Sequence, residues 1–144
     1  MKPVLSGLLL VAAVLLWQPS NGQASIQRNG ETIYTEVERQ PEFPGGKRAL
    51  SMYLMKNVKY PSVLSKTNYD PGKIIVRFVV AKNGVVRNVE ISSKPAAAEA
   101  QQSLQNYLAS ILNAIEKMPR WRPAEVNGER VASLYILPVQ VYVN

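Results

Sequence analysis

Histidine and cysteine are both absent from the 144 residues, and with them go the imidazole base, the thiol nucleophile, the Cys/His zinc site and the disulfide framework. Four short patterns remain that invite a chemical reading. Gly45-Gly46-Lys47 has the glycine-lysine order of a phosphate loop, but Pro41 and Arg48 occupy the places where that loop needs another glycine and a Ser or Thr. Glu36 and Glu38 are two apart and would face one way on a strand, yet nothing beside them would raise one carboxyl enough to make it an acid. They read as a solvated pair. Ser92-Ser93-Lys94 sets hydroxyls beside an amine, but no serine in the chain stands three residues before a lysine, the spacing that Ser-x-x-Lys catalysis requires. Arg120-Trp121-Arg122 alternates cation and aromatic as a base-stacking surface does. Pro119 and Pro123 hold that stretch extended, so the expectation is a buried Trp121 with both arginines outward. No catalytic, cofactor or metal site is expected.

The elements that must position these residues begin with one to set aside. Lys2 is followed by the almost wholly apolar run Val4 to Trp17 and then by Pro19-Ser20-Asn21-Gly22-Gln23-Ala24, the layout of a secretory signal. The run is shorter than the roughly 20 residues that span a bilayer, and Gly22 and Ala24 supply the small side chains a signal peptidase accepts. Cleavage after Ala24 is predicted, with residues 1–24 a signal peptide and the product in the periplasm or cell envelope. The alternative is retention of residues 4–17 as an inner-membrane anchor. The remaining length holds one domain. With 17 Lys and Arg against 10 Asp and Glu, a net charge of +7, an exported chain is matched to anionic envelope surfaces or acidic partners and not to nucleic acid.

Residues 25–36 read as a polar arm containing Asn29-Gly30, with Thr32 to Val37 able to pair as a short strand. The breaker cluster Gln40 to Gly46 delivers the chain into a helix that starts near Gly46 or Lys47, buries Ala49, Leu50, Tyr53, Leu54 and Val58, and ends before Tyr60-Pro61. Lys73 to Val80 is a strand with Ile74, Val76, Phe78 and Val80 on one face. Lys82-Asn83-Gly84 turns it back into Val85 to Ser92, with Val85, Val89 and Ile91 sharing a side. A second helix from about Ala96 to Met118 carries the stripe Ala97, Ala100, Leu104, Leu108, Ile111, Ile115 and Met118, and Pro119 stops it. Asn127-Gly128 marks a turn, and Val131 to Val143 is read as one long final strand. The fold class expected is α+β, a three-stranded antiparallel sheet with two helices packed on one face.

Taken in order, Tyr60-Pro61, Gly72 with Val76, Phe78 and Val80, Gly84-Val85-Val86-Arg87-Asn88-Val89, Met118-Pro119-Arg120-Trp121-Arg122-Pro123 and Leu137-Pro138-Val139 resemble the C-terminal domain of TonB. Val37 to Gly46 and the Met-Pro-x-Trp-x-Pro stretch are similar to Bacteroidetes-type members. The resemblance covers residues 37 to 143 and implies a domain at 37–144 that binds the TonB box, the N-proximal peptide of outer-membrane receptors, by adding it as an extra strand. In the family the final strand receives the peptide, which maps to Leu137, Val139, Gln140, Val141 and Tyr142; a polar residue three before the Tyr-Pro pair, here Asn57, lies near it in some members. A long edge strand offers unpaired N–H and C=O groups to such a peptide. The chain departs from TonB proper in its short apolar run, in the lack of a long Pro-rich spacer, and in a longer second helix over Ala96 to Asn113. The reading is an exported module that engages an outer-membrane receptor or another envelope protein. The alternatives are an anchored, energy-transducing TonB and a structural protein that pairs with itself as a homodimer through the C-terminal strand.

Overall fold

The computed structural model describes residues 24–66 and 73–140. In chain order the elements are β1 (Ser25–Arg28), β2 (Glu31–Tyr34), α1 (Gly46–Asn57), α2 (Ser62–Ser65), β3 (Lys73–Val80), β4 (Val86–Ser92), α3 (Ala98–Glu116), β5 (Ala124–Val126), β6 (Glu129–Val131) and β7 (Ser133–Gln140). The α+β class holds. The sheet, however, is mixed and five-stranded in the order β1-β2-β7-β3-β4, with β5 and β6 as a separate hairpin, in place of three antiparallel strands. The predicted signal segment lies outside the described residues except for Ala24. No helix among the described residues is long and apolar enough to cross a membrane.

β3 is the centre of the sheet for the reason its sequence gives. Ile74, Val76, Phe78 and Val80 are fully buried on one face, and β7 pairs with β3 along its whole length, from Lys73↔Gln140 to Val80↔Ser133. Tyr135, Leu137 and Val139 of β7 join that face, and α3 covers it with Ala100, Leu104, Tyr107, Ile111 and Ile115. α1 adds Leu50, with Ala49, Tyr53 and Leu54 half-buried beside it, and the Tyr53 hydroxyl donates to the Ala114 carbonyl of α3 at 2.7 Å. Among the described residues there are three helices where two were expected: the periodicity found α1 and α3 to within two residues but not the single-turn α2, four residues being too short to show a repeat. It missed Tyr107 and Ala114, because a buried face about 100° wide admits more than one stripe.

Three differences have local causes. The β3–β4 register shifts between Arg77↔Glu90 and Val79↔Arg87, and Asn88 sits within this bulge in the left-handed conformation. The extra residue brings Val86, together with Val89 and Ile91, onto the core side, while Val85, expected there, is exposed. The predicted long final strand is two strands: β6 belongs to the small hairpin turned by Asn127-Gly128, both at positive φ, and β7 begins at Ser133. Residues 25–36, expected as an arm, are mostly the β1–β2 hairpin, turned by Asn29-Gly30 with the same pair of positive φ values. Ile33 of that hairpin packs with Val79 and Ala132 in a small second core on the sheet face opposite the helices. Arg28 reaches Glu90, and Arg87 is paired with Glu31. The hairpin thus ties itself to β4, across the back of the sheet.

Candidate functional site: a groove beside the last strand

β7 is not the free edge that a three-stranded sheet would make it. β2 lies alongside it in parallel, but the register has a single pair, Tyr34↔Ser133, with the Tyr34 N–H donating to the Ala132 carbonyl at 2.9 Å. Beyond Ser133 the two part. The chain after β2 is instead drawn to the β5 strand, where Arg39 and Glu125 exchange two backbone hydrogen bonds of 3.1 Å, and Glu42 and Arg122 exchange two of 3.0 and 2.8 Å. Arg122 and Glu42 add a side-chain ion pair at 2.6 Å, and Arg39 and Glu125 one at 3.3 Å. The divergence leaves a groove of about 640 Å³ between residues 40–47 and the start of β7.

The direction of each backbone group along β7 follows from strand alternation. Since the Ala132 carbonyl faces β2, the N–H and C=O groups of Ile136 and Gln140 and the C=O of Pro138 face the same way, while those of Tyr135, Leu137 and Val139 face β3. Proline can stand in this paired strand because its missing donor would have pointed outward. Ile136 therefore offers both a donor and an acceptor to the groove side, and its side chain is 53% exposed.

The wall opposite is aromatic and rigid. Trp121 is 3% exposed and meets Tyr135 with centroids 4.9 Å apart, Phe78 at 5.5 Å and Phe43 at 5.7 Å, each edge to face. Its indole N–H has no hydrogen-bond partner among the described residues. Phe43, Leu50, Trp121 and Tyr135 line the groove, with Lys47 and Glu42 as its charged residues. Burial raises the Tyr135 hydroxyl above the ordinary tyrosine pKa, so it stays protonated at neutral pH. Trp121 is locked from behind: its backbone N–H donates to the Gly84 carbonyl at 2.9 Å, and Gly84 sits at φ +86° so close to the Trp121 carbonyl that no β-carbon fits.

Compared with protein families, curated proteins and solved structures, the chain finds no match. Its own geometry distributes the sequence-predicted residues as follows. Leu137 and Val139 are buried in the core, with their backbone turned to β3. Gln140 ends β7 and turns its backbone outward, while Val141 and Tyr142 lie outside the described residues. Asn57 does not line the groove; it closes α1, its amide donating to the Tyr53 carbonyl at 2.8 Å, eleven residues and about 16 Å along the helix from Gly46. The residues that sequence reasoning passed over are Ile136, Lys47 and Phe43. Ile136 was legible, since it precedes the strand proline by two and so shares its outward backbone parity. Among the described residues no cluster of His, Cys, Asp or Glu is placed to hold a metal.

Proposed function

We propose that this chain is an exported binding module similar to the TonB C-terminal domain, and that it docks an extended peptide of an outer-membrane receptor or another envelope protein as an added strand on the outward side of β7. The observation that carries the reading is the parting of β2 from β7 after Ser133, which leaves the outward side of Ile136 to Gln140 without a neighbouring strand among the described residues and, at Ile136, beside an aromatic-lined groove. The added strand meets two donors, from Ile136 and Gln140, and the carbonyls of Ile136, Pro138 and Gln140. Alternate side chains of the peptide then fall into the groove against Phe43, Trp121 and Tyr135. With few backbone bonds, each contributing about 0.5 to 1.5 kcal/mol net, affinity depends on how well the groove is filled.

Titration of the isotope-labelled protein with receptor N-proximal peptides tests this. Amide shifts are expected at Ile136, Gln140 and Lys47. Shifts confined to α3 or to the β5–β6 hairpin would overturn strand addition. Shifts that follow protein concentration in the absence of peptide would assign the edge to a homodimer.

A further inference from the structure

The outward face of α1 joins cations to exposed apolar side chains. Residues 43–66 contain Lys47, Arg48, Lys56, Lys59 and Lys66 and neither Asp nor Glu, and all five cations are exposed. With Leu50, Tyr53 and Leu54 turned to the core, spacings of three and four put Arg48, Met52 and Met55 together on the opposite side, with Lys56 one turn beyond Met52. Met52 is 62% exposed and Met55 82%. The nearest acid before this stretch, Glu42, is already paired with Arg122. Nothing in the packing of α1 calls for two thioethers in water.

We propose that this face of α1 docks on an anionic lipid surface, the two methionines resting among the headgroups and Arg48 and Lys56 on the lipid phosphates. The proposal does not rest on the β7 groove, and Lys47, which lines that groove, is left out of it. A soluble polyanion would use the cations alone, and an uncharged protein patch the methionines alone. An anionic bilayer uses both, and flexible, polarizable methionine suits a fluid partner better than a branched side chain would. Each cation held near such a surface raises partitioning about fivefold, an effect that salt screens.

The absence of cysteine makes a site-specific probe simple. A nitroxide is attached to the full chain at Met55→Cys, or at Glu129→Cys on β6 as reference, and its collision with a water-soluble relaxant is measured on vesicles. Any insertion by the apolar run near the N-terminus is common to all samples and does not itself shield position 55. On phosphatidylglycerol–phosphatidylcholine vesicles position 55 becomes shielded at low salt and is released at high salt, while position 129 stays in water. On phosphatidylcholine alone neither changes. Adding Arg48→Gln and Lys56→Gln raises the lipid concentration needed for shielding about 25-fold, with circular dichroism matched to the parent so that misfolding is not mistaken for lost docking. Position 55 remaining open on anionic vesicles, equal shielding on neutral ones, equal shielding by soluble polyaspartate, or indifference to the charge substitutions would each overturn the proposal.

Discussion

Trp121 holds the groove, the sheet and the Gly84 turn in one place. Its ring meets Phe43, Phe78 and Tyr135, and its backbone N–H binds Gly84. Trp121→Ala is therefore expected to cost about 3 to 5 kcal/mol, the range for truncating a buried aromatic, read as a lowered midpoint in urea. An unchanged midpoint with peptide binding lost would make Trp121 a surface contact instead. Gly84→Ala tests the same junction from the other side: it forces a β-carbon against the Trp121 carbonyl at a backbone angle that alanine avoids. It should destabilise the fold, whereas Gly30→Ala, strained at φ +78° but with open space around it, should cost less.

Tyrosine burial adds a pH limit at the same scale. Tyr107 is pushed up to about 12, first by burial and then by the neighbouring Tyr60, and burial also raises Tyr53 and Tyr135. An unfolded tyrosine gives up its proton near pH 10. Between 10 and about 12 the folded chain binds more protons than the unfolded one, so stability falls as pH rises. The contribution is complete below pH 10 and lost through that window. Circular dichroism against pH should place alkaline unfolding there, and Tyr107→Phe should move it upward.

At the scale of elements, β7 makes the sharpest prediction, because adjacent residues face opposite ways. Ile136→Pro removes a donor that faces the groove; the fold should survive, and peptide binding should weaken by the worth of one backbone bond, about 0.5 to 1.5 kcal/mol. Leu137→Pro removes a donor committed to β3 and should unfold the protein. If both variants fold equally well by near-ultraviolet circular dichroism, the assignment of directions along β7 is wrong. The same strand marks where sequence reading reached its limit. The alternation in Lys73 to Val80 gave β3 and its buried face directly, since side chains on a fully paired strand have two choices only. β1 and β2 were harder: their four-residue strands carry few apolar residues, and what fixes them is Ile33 on Val79 and the pairing of Glu31 with Arg87, contacts between distant positions. Asn29-Gly30 was the local signal. Without the position of β2, β7 could only be read as an edge, and the groove that its parting from β2 creates had no sequence signature.

For the molecule as a whole, the β1–β2 hairpin gives the proposed export a structural test. The carbonyl of Ala24 accepts the N–H groups of Thr35 at 2.8 Å and Glu36 at 3.2 Å. It is also the carbonyl a peptidase attacks when it cuts after Ala24, so cleavage there removes both of these bonds and leaves the mature hairpin to the β1–β2 pairing that begins at Ser25↔Tyr34. Mass spectrometry of the protein recovered from the envelope is expected to find Ser25 as the first residue; Met1 or Lys2 at the terminus would instead support the anchored reading.

Pro138 has a consequence beyond docking, and it concerns solubility. An open strand flank is a template on which copies of a protein can stack into fibres, since each newcomer exposes a fresh row of donors for the next. On β7 that row is broken in the middle: between the Ile136 and Gln140 N–H groups the outward donor position belongs to proline and is empty. A short guest can still bind around Ile136, but a long, flat, self-propagating ladder loses one of its rungs at every layer. The flank that receives a partner is thus defended against runaway growth by the same residue that limits how tightly the partner is held. Replacing Pro138 with threonine should strengthen peptide binding modestly while making concentrated solutions turbid.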